Sequence, residues 1–221
     1  MKKILPTYSL KRKRLQKLQE RDSMKFLFIV VVFIFLGGCS INNPAVKEYR
    51  IHLEPKTVTY DSQSCKEKSL KVGQVFSSSS LLSHRMKYMK DGYSEFSFTQ
   101  SEWAQSPNKA LSAELVKSVR SSGLFSSVNS YKSRSRSDLI LETNLEEFIQ
   151  YFSNDNNSSF VNISLSLSLV ETGTSKVLQT KYISKKLGTK SLDAQGGVKA
   201  FNEALSGVLK ESNDWLSEAC K

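Results

Sequence analysis

Residues 161–169 constrain the fold more than any other stretch, because five apolar residues alternate there with four polar ones. Residues two apart on a strand lie on the same face of a sheet. The alternation therefore predicts a strand with one buried face and one wet or lightly covered face. The apolar set is Val161, Ile163, Leu165, Leu167 and Leu169, and the polar set is Asn162, Ser164, Ser166 and Ser168.

A second long strand is predicted over residues 138–152, joined to the first by the turn-forming segment 153–159. Shorter strands are predicted at 49–53, 70–76 and 176–186. Asp91-Gly92 between residues 84–90 and 93–99 predicts a hairpin, because both turn positions favour a positive φ. In the long strand the apolar residues occupy odd-numbered positions and are expected on one face: Leu139, Leu141, Leu145, Ile149 and Tyr151. Glu147 is a polar exception in this series and indicates a bulge.

Two helices complete the predicted elements. Pro107 suits the first turn of a helix that carries Leu111, Leu115 and Val119 on one stripe and stops at Gly123. Residues 195–220 place apolar side chains at spacings of three and four, which is typical of an amphipathic helix. The predicted fold class is therefore α+β, a mainly antiparallel sheet with two amphipathic helices packed on one face.

An apolar run precedes this fold. Residues 26–36 are all apolar, too few for a membrane span of about 20 residues but typical of the core of a secretory signal. We therefore predict a signal peptide at residues 1–38, with Met24 as the expected true start, because the preceding leader is unusually long and charged. A tether at 39–48 and a single periplasmic domain at 49–221 are expected to follow.

Leu36-Gly37-Gly38-Cys39 resembles the lipobox of bacterial lipoproteins. The resemblance implies cleavage before Cys39 and attachment of a diacylglycerol and an N-acyl lipid to this residue, with no other cofactor. Two or more acyl chains anchor a protein stably to a membrane. Ser40 in place of an aspartate implies the periplasmic face of the outer membrane in preference to inner-membrane retention. The alternative for Cys39 is a buried cysteine after an apolar helix.

The excess of positive charge lies mostly in the leader. Residues 1–38 hold nine Lys or Arg and two Asp or Glu, and so account for +7 of the formal net charge of +11. The remaining 183 residues carry 23 basic and 19 acidic side chains, a net charge of +4. We therefore expect no nucleic-acid partner.

Two cysteines follow the predicted anchor, Cys65 and Cys220. In an oxidising compartment an even pair favours a disulfide over two free thiols. Closing a loop of about 155 residues would stabilise the fold by about 5 kcal/mol in the chain-entropy model, which is an upper figure.

Little in the sequence points to catalysis. His52 and His84 stand alone, and no zinc-binding, nucleophile-elbow, phosphate-loop or dinucleotide motif is present, so we expect neither an enzyme nor a metal site. Glu146 and Glu147 are adjacent on a predicted strand. Neighbouring strand residues point to opposite faces, so these two carboxylates are not expected to share a substrate.

The candidate partner or lipid surfaces are the aromatic hairpin region and a basic loop at residues 131–136. The alternatives are core packing for the aromatic residues and a solvated loop for the basic ones. Asn157 lies in a sequence that resembles a bacterial N-glycosylation acceptor, and turn chemistry explains the same residues. The candidate surface residues are His84, Tyr88, Phe96, Phe98, Trp103, Lys132, Arg134 and Arg136.

Four short motifs follow the lipobox: Tyr49-x-x-x-Leu53-x-Pro55, Leu70-x-Val72-Gly73-x-Val75, Trp103-Ala104 before a proline and a helix, and Ser122-Gly123-x-Phe125. Together they resemble the ABC-type transport auxiliary lipoproteins of MCE lipid transport systems. The segment 81–85 departs from the pattern of that family.

The resemblance implies a non-enzymatic lipoprotein, anchored in the outer membrane, that docks the periplasmic assembly of an ABC/MCE-type lipid transporter. Its partners would be an MCE-domain protein and an ABC permease complex, and self-association into a homo-oligomer stays open. Docking is expected through a sheet edge or the hairpin at residues 84–99. The alternatives are a lipoprotein that assists assembly of an outer-membrane β-barrel and an envelope hydrolase with an unfamiliar site.

Overall fold

The computed structural model of the chain describes residues 45–54, 60 and 64–220. The predicted signal peptide, Cys39 and the first part of the tether lie outside these residues. The helices are α1 (Pro107–Ser122) and α2 (Ala194–Ala219), with a turn of 3-10 helix at Ser79–Leu82. The strands are β1 (Lys47–Tyr49), β2 (Ser69–Val72), β3 (Phe76–Ser77), β4 (Arg85–Lys90), β5 (Ser94–Trp103), β6 (Ser127–Ser130), β7 (Leu139–Phe152), β8 (Ser159–Glu171) and β9 (Lys176–Gly188).

Strand β7 is the centre of the sheet, and its two edges have different neighbours. One edge pairs antiparallel with β8 along the length of both strands, and β8 pairs antiparallel with β9. The other edge takes β2, β3 and β4 in succession, all of them parallel to β7. Beyond these, β6 extends β2, while β5 and β1 extend β4.

The sheet is therefore mixed, and the expectation of a mainly antiparallel sheet was wrong, although the α+β class fits. Among the described residues, five strand pairs are parallel and three are antiparallel. The reason is physical: alternation reports which face of a strand is buried, but it does not report which strand lies beside it or in which direction that strand runs.

Both helices pack on one face of this sheet. Phe201 of α2 stacks on Phe148 of β7 with ring centroids 4.2 Å apart. Helix α1 lies beside α2, and Asn213 donates a hydrogen bond to Oγ of Ser118 at 2.9 Å. The layer between the helices and the sheet is filled by fully buried leucines of β7 and β8: Leu139, Leu141, Leu145, Leu165, Leu167 and Leu169.

A bulge interrupts β7 near its middle. Between Leu145 and Glu147 the register with β8 shifts by one residue, which leaves Glu146 without a partner of its own in the ladder. The predicted bulge is confirmed, but the single parity predicted along the strand is wrong, because an inserted residue reverses the alternation. After the bulge, Phe148 and Gln150 face the helices, and both are buried.

The local turn chemistry agrees with the predicted hairpin. Asp91 and Gly92 have φ of 55° and 70°, and they join β4 to β5.

Two predicted strands have different bounds in the structure. The predicted strand at 70–76 is divided into β2 and β3. Gly73 lies between them and donates from its backbone N–H to the Leu141 carbonyl at 2.9 Å. The predicted strand at 49–53 is the shorter β1, Lys47–Tyr49.

The predicted disulfide is confirmed, because Cys65 and Cys220 are bonded to each other. The bond joins the turn before β2 to the end of α2, and both cysteines are buried. It therefore ties the last helix to the parallel side of the sheet, across a sequence separation of 155 residues.

Reduction of this bond should lower the free energy of unfolding by about 2–5 kcal/mol, because the unfolded chain regains the entropy that the closed loop removes. Urea unfolding with and without dithiothreitol measures the difference. The double variant Cys65→Ser/Cys220→Ser is the control and should not respond to the reductant. An unchanged unfolding midpoint on reduction of the wild-type protein would contradict this account.

A second prediction concerns Gly197 in the first turn of α2. A Cβ at this position would overlap Oε1 of Gln150, whose amide is buried and donates to Oγ of Ser159 at 3.1 Å. We expect Gly197→Ala to destabilise the protein by about 1–3 kcal/mol, as overpacking does. Thermal unfolding measures the change.

The matched control is Gly207→Ala in the same helix, where the new Cβ would meet only the flexible end of Lys185 at 3.2 Å. Alanine is favoured over glycine in a helix by about 1 kcal/mol, so this variant should be neutral or stabilising. Equal destabilisation by both substitutions would show that Gln150 is not the cause.

Candidate interaction surfaces

Six of the eight predicted surface residues form two groups at opposite ends of β7, and Trp103 and His84 lie outside both groups. The aromatic residues lie beside the last residue of β7, at the hairpin formed by β4 and β5. The basic loop at 131–136 directly precedes the first residues of β7. Strand residues rise by about 3.3 Å each, so roughly 40 Å separates the two ends. One surface cannot include both groups.

Trp103 belongs to neither group. Its side chain is 2% exposed, and its ring makes edge contacts with Phe148 and Phe201 at centroid distances of 5.5 and 5.6 Å. The alternative of core packing therefore holds for this residue, and its inclusion in a partner or lipid surface was wrong. His84 is exposed and lies just before β4, where its carbonyl accepts from the backbone N–H of Trp103 at 2.7 Å.

Four rings form what we call the aromatic end cluster: Tyr88, Phe96, Phe98 and Phe152. Tyr88 is at its centre, with ring centroids 5.4 Å from Phe96, 4.7 Å from Phe98 and 5.4 Å from Phe152. Phe96 is 45% exposed, and the other three rings are partly buried. Phe152 was not among the predicted surface residues. The residue inserted at the bulge reverses the alternation of side chains along β7, and this reversal turns Phe152 towards the cluster.

Further apolar side chains surround the cluster. Tyr93 at the tip of the hairpin is 94% exposed, and Leu192, which precedes α2, is also exposed. Three rings of the cluster, Tyr88, Phe98 and Phe152, line a depression of about 330 Å³ together with Lys90, Asn156 and Leu192. This end of the molecule therefore presents several exposed apolar side chains, with the polar residues Lys90 and Asn156 beside them, which is typical of a binding surface.

The outer edge of β9 is a second candidate surface, one that the sequence analysis did not single out. Within the described part of the chain, β9 pairs only with β8, so its 13 residues leave one edge of the sheet open. Val177 and Tyr182 are 50% and 57% exposed, and Leu178 is exposed as well. A free edge of this length can pair with a strand from another chain.

The basic loop has a more ordinary environment. Lys132, Arg134 and Arg136 are exposed. Next to the loop, Oδ2 of Asp138 accepts from the backbone N–H and the hydroxyl of Ser69, both at 2.7 Å. These hydrogen bonds hold the pKa of Asp138 below its usual value. The exposed cations favour the solvated-loop alternative unless an acidic partner covers them.

The bulge also places Glu146 and Glu147 on the same face of the sheet, the face without helices. Glu146 accepts from the hydroxyl of Ser166, and Glu147 accepts from Ser164 at 3.4 Å. Because these serines are two residues apart on β8, they share a face. The prediction that the two glutamates point to opposite faces was wrong, since it assumed regular alternation.

Neighbouring donors satisfy these carboxylates. Glu147 also accepts from the amide of Asn162 and from the hydroxyl of Tyr151, the latter at 3.2 Å. Burial, with the nearby Glu147 carboxylate, raises the pKa of Tyr151 to about 12.

The described residues contain no group of three or more His, Cys, Asp or Glu side chains that could hold a metal ion. In the same part of the chain, neither helix combines the length and apolar character needed to cross a membrane.

The remaining predicted site residues are Cys39 and Asn157. Cys39 lies outside the described residues. Asn157 is exposed in the turn between β7 and β8, and its side-chain amide donates to Oδ2 of Asp155 at 3.0 Å. This hydrogen bond is the turn chemistry that the sequence analysis weighed against glycosylation. Glycosylation of Asn157 stays a prediction.

The fold and surfaces define an α+β protein whose mixed sheet is covered by two helices on one face. No family model matches the sequence, and no curated protein does so either. A crystal structure from Xanthomonas campestris, described by the family model DUF330, is similar at a TM-score of 0.70 with 19% identity, and covers 79% of this chain and 96% of that one.

Two further solved structures are similar. One, an uncharacterised protein, has a TM-score of 0.61 and 16% identity over 78% of this chain and 99% of that one. The other is the PelC dodecamer from Paraburkholderia phytofirmans, with a TM-score of 0.43 and 9% identity over 67% and 89% of the two chains. At these identities the first two establish a shared fold.

The environment of Tyr151 gives a direct test of the polar cluster around Glu147. A neighbouring carboxylate and burial both penalise the charged phenolate, so Tyr151 should lose its proton at a higher pH than an ordinary tyrosine of pKa near 10. In a spectrophotometric titration, Tyr151→Phe should remove one late-titrating phenol, and Glu147→Gln should move that phenol to lower pH. Tyr131→Phe is the exposed control. A Tyr151 that titrates with the exposed tyrosines would contradict the geometry.

Proposed function

We propose that this chain is a non-enzymatic, lipid-anchored docking protein of the cell envelope, which attaches the periplasmic assembly of an ABC/MCE-type lipid transporter to the outer membrane. The lipobox-like sequence ending in Cys39 supports the anchor. The motifs that resemble the transport auxiliary lipoproteins support the transport system. The fold shared with the DUF330 protein is compatible with both, but is evidence for the fold alone.

The observation that carries the docking role is the open edge of β9. In most sheets an edge is shortened, covered or closed, because unpaired backbone groups bind other strands. Here the edge strand has 13 residues and keeps Val177 and Tyr182 largely exposed. Its backbone groups can supply affinity, and its apolar side chains can supply selectivity for one partner strand.

The rest of the fold makes this edge rigid. Helix α2 covers the inner side of β9, where Ile183 is buried and Nζ of Lys181 pairs with Oε1 of Glu211 at 3.6 Å. The disulfide fixes the far end of the same helix to the turn before β2. An edge held in this way loses little conformational entropy when a partner strand adds to it.

The test is a pulldown of the acylated protein from native membranes, through a tag after the last residue, with mass spectrometry of proteins and lipids. The wild-type protein should recover an MCE-domain protein and an ABC permease. The double variant Val177→Thr/Tyr182→Thr places threonine, a residue with high strand propensity, at both positions and removes the exposed apolar contacts. It should reduce recovery about tenfold or more, as loss of an aromatic hot spot does.

Tyr131→Thr is the matched control, because Tyr131 is an exposed tyrosine directly after β6, and β2, β7 and β8 separate β6 from β9 in the sheet. This variant should recover the same partners as the wild-type protein. Unchanged recovery by the β9 double variant would exclude the edge as the docking site. Recovery of a β-barrel without an MCE-domain protein would favour the role in barrel assembly and contradict the transport proposal.

A further inference from the structure

We propose that the aromatic end cluster rests in the membrane that holds the Cys39 lipids, with its rings at the boundary between head groups and acyl chains. The inference rests on the lipid anchor of the proposed function, and adds a second membrane contact and a fixed orientation. The occupant of this apolar surface is a lipid bilayer, because the chain from the anchor enters the fold beside the cluster.

The entry point of the chain lies at the aromatic end of the sheet. Strand β1 pairs parallel with the last residues of β5, from Lys47 opposite Ser101 to Tyr49 opposite Trp103. Going back along the chain from Lys47 therefore leads towards the first residues of β5, where the hairpin and Phe96 lie. Ala45, the first described residue, is on that side and is exposed.

The length of chain between anchor and fold limits the distance from the bilayer. Residues 40–44 separate Cys39 from Ala45. An extended chain spans at most about 3.6 Å per residue, so Ala45 lies within about 22 Å of the acylated cysteine. The aromatic end of the sheet is thus held close to the membrane surface. The basic loop lies roughly 40 Å farther along β7, at the other end of the molecule.

The chemistry of the cluster suits the head-group boundary. Rings that carry a polar atom, such as Tyr88 and Tyr93, place an apolar body in the acyl region and a hydroxyl in the wet region. Phe96 and Leu192 are 45% and 46% exposed, so nearly half of each apolar side chain is left uncovered by the described residues. Aromatic side chains of this kind are enriched where membrane proteins meet the interface.

The charges beside the cluster are balanced. Lys87 pairs with Glu95 at 2.9 Å, and Lys90 is followed directly by Asp91. The contact therefore depends on apolar burial, not on attraction to anionic lipids, and it should persist in neutral vesicles and at high salt. Contact through the basic loop would instead require anionic lipids and would weaken with salt.

The experiment uses the full acylated protein in phosphatidylcholine vesicles that contain bromine-labelled acyl chains, with a single added tryptophan as reporter. Both native tryptophans, Trp103 and Trp215, are buried in the core and provide a shielded background. Phe96→Trp reports from the cluster, and Tyr93→Trp reports from the hairpin tip. Tyr131→Trp, at the opposite end, is the control.

We expect the brominated lipids to quench most of the added fluorescence in Phe96→Trp and Tyr93→Trp, and little or none in Tyr131→Trp. The pattern should be unchanged by high salt and by phosphatidylglycerol. Quenching of Tyr131→Trp alone would place the basic loop at the membrane and overturn the inference. Equal quenching of all three reporters would overturn the proposed orientation.

Two further outcomes separate this inference from the proposed function. Protein that floats with the vesicles but shows no quenching of Phe96→Trp keeps the anchor and overturns the aromatic contact. Protein that does not float overturns both, since the geometry starts from the anchor. A Phe96→Trp reporter that is shielded from aqueous iodide only by the MCE-domain protein would assign the cluster to a protein partner and overturn the bilayer contact.

Discussion

The other elements of this fold take their places from the pairing of β7 with β8. Thirteen residues of β7 are paired antiparallel with β8 on one edge, and the parallel strands β2, β3 and β4 occupy the other edge in turn. The buried leucines of these two long strands form the apolar face of the sheet against which both helices pack. With both edges of β7 used, the sheet can grow only outwards, to the short β1 and β6 on one side and to β9 on the other.

This arrangement gives the molecule three distinct surfaces. The end of β7 carries the aromatic end cluster, its beginning follows the basic loop, and no strand among the described residues pairs with the outer edge of β9. A lipid anchor a few residues before β1 would hold the aromatic end at the bilayer, leaving the edge of β9 accessible from the side and the basic loop pointing away. A docking protein needs such a division, because membrane attachment and partner binding must not compete for one surface.

The sequence predicted the elements whose signals are local. The alternation at residues 161–169, the Asp91-Gly92 turn and the two amphipathic helices all have counterparts in the structure. The disulfide was predicted from the expected oxidising compartment and the even number of cysteines after the anchor, without any geometric signal. These features depend on residues close together in sequence or on the chemistry of the compartment.

What the sequence did not predict depends on long-range pairing. The parallel partners of β7 come from segments 60 to 70 residues earlier, as in the pairing of Leu70 with Leu139, and periodicity carries no record of them. The bulge was predicted, but its consequences were not. Because the inserted residue reverses the alternation of side chains along β7, Phe148 is buried and Phe152 faces the aromatic cluster. The same insertion brings Glu146 and Glu147 to one face. The open edge of β9 was missed for the same reason, since edge position is a property of the whole sheet.

Docking of a periplasmic transport partner at the edge of β9 can be measured by photo-crosslinking in living cells. A photoreactive amino acid in place of Tyr182 would stand on the exposed face of β9, and one in place of Tyr131 would serve as control. The account predicts a crosslink from position 182 to an MCE-domain protein, and none to that protein from position 131. A crosslink from position 182 to a β-barrel, or no crosslink to any envelope protein, would contradict it.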